Sequence, residues 1–206
     1  MSFGHKGEHR CNRTGGIIKR RKGQIFINTF QGKLAELAFY NFMSNKGFKI
    51  SYPDFKTYNL GIWDGADFIV ADNNRSYLFS IKSTKFYGNL MLLETEDYNA
   101  NGQYVPNIGK GNDFYDYFSL VRIAPDSESL MKRHRLFFLD ECDKSYLEKI
   151  ILNENWKYDI PGYITNQDLV NLINNNQIIP QGATLNNNTT MDAENYYVET
   201  GNMHQF

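Results

Sequence analysis

Two cysteines in 206 residues, Cys11 and Cys142, are too few for a disulfide scaffold and agree with a reducing compartment. No run approaches the ~20 consecutive apolar residues that a membrane span needs. Residues 1–22 have polar and charged residues spread throughout and lack the apolar block of a signal peptide. The expectation is a soluble, cytoplasmic protein without membrane contact. An excess of basic charge is missing too: the net charge of −1 carries no global signal for nucleic acid. No internal repeat is visible, which argues against a solenoid.

What is present is the composition of a globular chain. Hydrophobic residues make up 41%, enough for one ordinary domain of this length to bury a core without staples. Charge distribution is more informative than its sum. Residues 1–23 hold Lys6, Arg10, Arg13, Lys19, Arg20, Arg21 and Lys22 against the single acid Glu8, so the remainder is acidic. Residues 1–23 therefore read as a basic arm and 24–206 as one domain. Alone, Lys19, Arg20, Arg21 and Lys22 describe a solvated arm; beside a site that acts on a phosphate backbone they become candidates for gripping phosphate.

Along the chain, Asn28 with Gln31 three residues on has the form of a capping box. Leu34, Ala35, Leu37, Ala38, Phe39, Phe42 and Met43 then form an apolar stripe at helical spacing, stopped by Gly47. Residues 66–71 and 77–82 read as two strands of a hairpin around the turn 72–75. Further strands are expected at 89–93, 117–123 and 136–139. Residues 99–112 read as a Gly- and Asn-rich loop. Helices are expected at 145–153 and 166–175, the latter capped by Thr165. Tyr196 and Tyr197 are expected to fold the C-terminal segment back onto the core. The order predicts an α/β (α+β-like) chain: a mixed central sheet of four to six strands flanked by helices.

Three residues in this order carry chemistry. Glu36 lies on the first helix, Asp67 opens the first hairpin strand, and Lys82 closes the second in Ser80-Ile81-Lys82. Alternation puts Ser80 and Lys82 on one face, and the hairpin is expected to bring Asp67 opposite Lys82. Phosphodiester hydrolysis needs an activated water and stabilisation of developing negative charge, which a divalent cation on carboxylates provides. Magnesium accepts one or two carboxylates plus a carbonyl and keeps its waters, so Asp67, Glu36 and the Ile81 carbonyl are candidate ligands. Lys82 would orient the water or take its proton.

From Gly32 to about Lys85, the arrangement resembles the PD-(D/E)XK nuclease superfamily, and within it the type II restriction endonucleases. The resemblance implies a four- or five-stranded mixed sheet between helices (the restriction-endonuclease-like fold), a Mg2+ cofactor for which Mn2+ substitutes, double-stranded DNA as substrate, and a homodimer matched to a two-fold site. The helix glutamate corresponds to Glu36, the metal-binding aspartate to Asp67 and the lysine to Lys82. One departure matters: the second acid, two residues before the lysine, is Ser80 here. Some restriction enzymes with this serine draw a glutamate from about a dozen residues downstream, where Glu94 and Glu96 lie. Alternatively Glu36 alone compensates, or the site is inactive. On this reading residues 28–125 form the catalytic core, and 126–206 serve DNA contact or dimerisation.

Plainer readings exist for each residue: Glu36 paired with Lys33 or Tyr40, Asp67 as a turn residue, Lys82 as an exposed strand end. Asp54 and Asp64 are weaker acid candidates. His5, His9 and Cys11 lack a fourth zinc ligand nearby, and His134 reads as an exposed polar position. For base contacts, Asn101, Gln103, Asn107 and Lys110 are candidates, as is the Asn-rich tract 186–190; ordinary polar loops are the plain alternative. The functional alternatives are a repair or junction-resolving nuclease, and a non-catalytic DNA-binding module on a decayed nuclease fold.

Overall fold

A computed structural model describes residues 20–55, 67–72, 75–111, 113–186 and 189–206. Lys19, Asp64, His5, His9 and Cys11 lie outside these residues. In chain order the elements are α1 (Lys22–Asn45), β1 (Lys49–Ile50), β2 (Phe68–Asp72), β3 (Arg75–Lys85), β4 (Leu90–Glu94), β5 (Tyr117–Ala124), α2 (Ser127–Arg133), α3 (Lys144–Leu152), β6 (Lys157–Thr165), α4 (Asn166–Asn174), β7 (Ile178–Ile179), β8 (Thr184–Leu185), β9 (Thr189–Thr190) and β10 (Asn195–Glu199). The chain is mixed α/β, and its central sheet has five strands in the order β1-β2-β3-β5-β6.

The hairpin of β2 and β3 is antiparallel, with Phe68 opposite Phe79 and Asp72 opposite Arg75. β5 runs parallel to β3 from Phe79–Tyr117 to Lys85–Ile123, and β6 returns antiparallel to β5. This explains why β3 does not end at Lys82, as expected, but continues to Lys85: its ladder with β5 supplies backbone partners for three more residues. The stretch 126–206 is likewise part of the architecture, since it contributes β6 to the sheet.

Alternation along the strands separates two cores. On one face Phe68, Val70, Phe79, Val121 and Ile123 pack against Ala35, Ala38, Phe39 and Met43 of α1. On the other, Phe118, Leu120 and Ile164 pack beneath Met91 and Leu93 of β4, Leu169 of α4 and Tyr196 and Val198 of β10. The latter layer is a second sheet, β4-β10-β7. Tyr196 thus packs β10 onto this core, as expected, while Tyr197 is half-buried.

Three local expectations are corrected. Asn28 and Gln31 do not cap α1; they lie inside it, because the helix starts at Lys22. The Gln24 side-chain oxygen accepts from the Arg21 backbone N–H at 2.9 Å. Gly23, read from sequence as the end of an arm, is a packing glycine: its N–H donates to the Leu139 carbonyl at 2.9 Å, and a Cβ there would meet the Leu136 carbonyl at 2.2 Å. The basic arm therefore stops short of residue 23. The third correction is at 136–139, which is not a strand. α2 ends with Arg135 in the left-handed conformation (φ 57°), and the Leu136 N–H returns to the Met131 carbonyl at 2.9 Å, a Schellman-type stop. Leu136 and Phe137 are buried in this turn, between Ile27 of α1 and the helices α2 and α3.

The helices at 144–152 and 166–174 match expectation. Asp143 caps α3 by accepting from the Tyr146 N–H at 2.8 Å. Thr165 caps α4, with its Oγ1 accepting from the Asp168 N–H at 3.1 Å while Asp168 accepts from the Thr165 N–H at 2.8 Å. Among the described residues, no helix is long and apolar enough to cross a membrane.

Candidate active site

Asp67 precedes the Phe68–Phe79 pair, so the register sets it beside Ser80 rather than opposite Lys82. This corrects the expected pairing by two residues; an antiparallel ladder through Phe68–Phe79 leaves no other arrangement. The Asp67 carboxylate then accepts the Ile81 backbone N–H at 2.5 Å. Phe68 and Phe79 both face α1, so Asp67, Ser80 and Lys82 share the opposite face. Ser80 is 3% exposed, while Lys82 and Asp67 are half-buried.

Glu36 reaches this region from the other side. Gln31 of α1 donates to the Ser83 hydroxyl at 3.4 Å, and the Phe39 ring lies 5.3 Å from that of Phe79. α1 therefore runs opposite to β3, and Glu36 sits at about the level of Ile81. It is 8% exposed, and its carboxylate pairs with Lys33 at 2.9 Å, one of the two partners the plain reading named. Among the described residues no three His, Cys, Asp or Glu side chains are grouped closely enough to hold a metal.

The downstream glutamates belong to the layer covering the Ser80–Lys82 face. Glu94 is the last residue of β4, opposite Asn195 of β10. Glu96 is exposed, in the 3-10 turn Thr95–Asp97, whereas its neighbour Asp97 is 8% exposed. Sequence spacing alone did not distinguish this buried acid.

No family model, curated protein or solved structure matches this chain. The site must be read from its own residues.

The basic and polar candidates separate clearly. Arg21 pairs with Asp140 at 3.4 Å and donates through Nε to the Phe138 carbonyl at 3.3 Å. The Lys22 N–H donates to Asp140 at 3.2 Å. These contacts pin the start of α1. In the loop, the Gln103 amide is engaged at both ends: it accepts from Asn99 at 2.8 Å and donates to Asp113 at 3.1 Å. Asn107 is 1% exposed, so the loop folds it inward and away from any base edge. Asn101 and Lys110 are exposed, as is Arg21. His134 is half-buried beside the Tyr146 hydroxyl at 3.1 Å.

A charged cluster that sequence reading missed sits at the shared C-terminal end of β3 and β5. Lys85 pairs with Asp126 at 3.1 Å and Glu128 at 3.3 Å, and Lys132 pairs with Glu128 at 2.5 Å. Burial disfavours the Lys85 charge, but the hydrogen bond and attraction of Asp126 and the field of Glu128 outweigh it and raise its pKa. Burial likewise works against Asp126 and Glu128, yet their hydrogen bonds to Lys85, Ser129 and Lys132 bring both below their ordinary values. Asp126 also caps α2, accepting from the Glu128 and Ser129 N–H groups. The Asp-x-x-Ser pattern at 126–129 was the available sequence signal.

Proposed function

We propose that the chain is a metal-dependent endonuclease of the type II restriction kind, hydrolysing phosphodiester bonds of double-stranded DNA at a short site as a homodimer. The observation that carries this reading is the corner formed by Asp67, the Ile81 backbone, Ser80 and Lys82 on one face of a hairpin. The five-stranded mixed sheet, with α1 on one face and α4 on the other, agrees with the restriction-endonuclease-like fold.

A hard cation that retains most of its waters would be held by the Asp67 carboxylate and the Ile81 carbonyl, with Glu94 or Glu96 of the covering layer as the candidate further carboxylate. Magnesium, or manganese in its place, supplies Lewis-acid stabilisation of the phosphate charge when bound. The protein residues have separate tasks. Asp67 holds its oxygen in place through the Ile81 N–H, so the carboxylate is oriented before substrate arrives. Lys82, on the same face, orients the attacking water and offers a positive charge to the phosphate oxygens. Burial at Ser80 keeps bulk water from the floor of the corner.

The test is incubation of the protein with long duplex DNA in magnesium, beside an EDTA control and the Lys82→Ala variant. Discrete fragments that disappear in both controls are expected, with the variant still binding DNA in calcium. A variant that cuts like the parent removes Lys82 from the reaction. Discrete fragments from ordinary duplex also set the activity apart from repair or junction resolution.

A second reading, a DNA-binding module without catalysis, is favoured by the Glu36–Lys33 pair and by serine at position 80. Both reduce the carboxylates available to a cation. This reading expects a gel shift with no cleavage in magnesium or manganese.

A further inference from the structure

β6 forms one edge of the central sheet, and the two halves of that edge differ. Toward its end the edge is covered. The Tyr163 N–H donates to the His204 carbonyl at 3.0 Å, and the His204 N–H returns to the Tyr163 carbonyl at 2.9 Å. The Gln205 amide donates to the Pro161 carbonyl at 2.9 Å. Toward its start, Lys157, Tyr158 and Asp159 pair with Ala124, Ile123 and Arg122 of β5 on the inner side. On the outer side they meet no strand among the described residues. Such an edge presents backbone N–H and C=O groups as a template for one more strand.

Side chains along this open stretch alternate between the faces of the sheet. Tyr158 pairs with Ile123, which packs toward α1. It is 42% exposed and, with Leu34 and Leu37 of α1 and Trp156, walls a groove of about 160 Å³. Lys157 and Asp159 lie on the other face. Arg122 holds Asp159 through Nε at 2.7 Å and through Nη2. A carboxylate has about four acceptor positions, so Arg122 leaves some free, and the Asp159 side chain is still 38% exposed. Lys157 is exposed and has no ion-pair partner among the described residues.

Charge limits what pairs here. A second copy added parallel and in register would set Lys157 beside Lys157 and Asp159 beside Asp159. Added antiparallel about a two-fold axis at Tyr158, it sets each Lys157 beside the partner's Asp159 on one face. On the other face the two Tyr158 rings come together over the groove. Opposite charges directly across an antiparallel pair stabilise it, and like charges do the reverse. An edge lysine that discourages unlike strands is thus matched in a copy of the same chain. A two-fold contact of this kind uses the same patch on both copies and stops at two.

We propose that residues 157–159 of β6 are the contact between two copies of this chain. The strands pair antiparallel about Tyr158 and join the two central sheets edge to edge. This rests on the homodimer in the function proposed above, and not on the chemistry at Asp67 and Lys82.

The test is sedimentation of the full chain over a concentration series without DNA, for the parent and for Lys157→Glu. A reversible dimer is expected for the parent. The variant should associate about tenfold more weakly, since two attractive cross-strand pairs become repulsive. Lys157 is exposed, so this substitution leaves the core untouched. A second variant reads the register. Tyr158→Cys, made together with Cys11→Ser and Cys142→Ser, should form a disulfide with its own copy under mild oxidation. Cα atoms directly opposite across an antiparallel pair are about 4.5–5.5 Å apart, within the range of a disulfide. A dimer that is indifferent to Lys157→Glu, or that gives no cross-link through Tyr158→Cys, overturns this pairing and leaves the homodimer standing. A chain that stays monomeric throughout the series overturns both, while metal-dependent cleavage is judged by its own assay.

Discussion

The Asp67 carboxylate accepts the Ile81 backbone N–H at 2.5 Å, joining the mouth of β2 to the strand that carries Lys82. One side chain thus serves the ladder and the proposed chemistry together. Asp67→Asn keeps an oxygen acceptor but removes the charge, whereas Asp67→Ala removes both. The Asn variant should unfold near the parent's urea midpoint and lose magnesium-dependent cleavage. The Ala variant should lose cleavage and about 1–2 kcal/mol of stability as well, through the stranded N–H. Equal midpoints for the two variants in urea would show that the hydrogen bond contributes no stability.

Lys85 joins the end of β3 to the start of α2 through Asp126 and Glu128. The two carboxylates have folded pKa values below the ordinary 3.8 and 4.5. Their contribution is therefore complete above those ordinary values and lost as pH falls through the lower folded ones. Lys85 has a raised value, so its contribution is complete below its ordinary 10.5 and is lost only as pH rises through the raised one. Lys85→Met should cost about 1 kcal/mol at neutral pH, a partly exposed pair being discounted for solvent. The loss should shrink as pH falls through the folded carboxylate values, because the parent then loses the same pairing. Urea midpoints followed through the acid range read this directly, and a loss that stays constant there would remove Lys85 from the account.

Phe39 is fully buried and packs against Phe68, Phe79 and Phe206 at ring distances of 5.5, 5.3 and 5.9 Å. It is the point where α1 meets the hairpin. Phe39→Ala should cost about 3–5 kcal/mol, the transfer and cavity terms together, which is a large share of a domain's net stability. Thermal unfolding followed by circular dichroism measures it. A loss below about 1 kcal/mol would mean that the helix–sheet interface repacks around the space.

Sequence reading found the elements whose signals are local. The helical stripe from Leu34 to Met43, the hairpin strands read at 66–71 and 77–82, and the Thr165 cap all act within a few residues, and each is present in the structure, the hairpin as Phe68–Asp72 and Arg75–Lys85. It failed where a partner distant in sequence decides. Asn28 and Gln31 have the form of a cap, but Gly23 docking against Leu139 lets α1 begin two turns earlier. Leu136–Leu139 has the composition of a strand, but Arg135 turns the chain and buries those side chains between helices. β6 contains Pro161 and Gly162, both poor strand formers, and is held by β5 on one side and the Tyr163–His204 bridge on the other.

The same division runs through the proposed site. The order Glu36, Asp67, Lys82 and the departure at Ser80 are properties of the chain itself, as is the shared face of Ser80 and Lys82, because side chains on a strand alternate. Only the tertiary structure decided that Asp67 meets Ile81, that Glu36 faces the sheet from the opposite side with Lys33 on its carboxylate, and that residues 157–159 form an edge of the sheet. Register and layer order depend on which distant surfaces exclude water together, and no window of neighbouring residues contains that information.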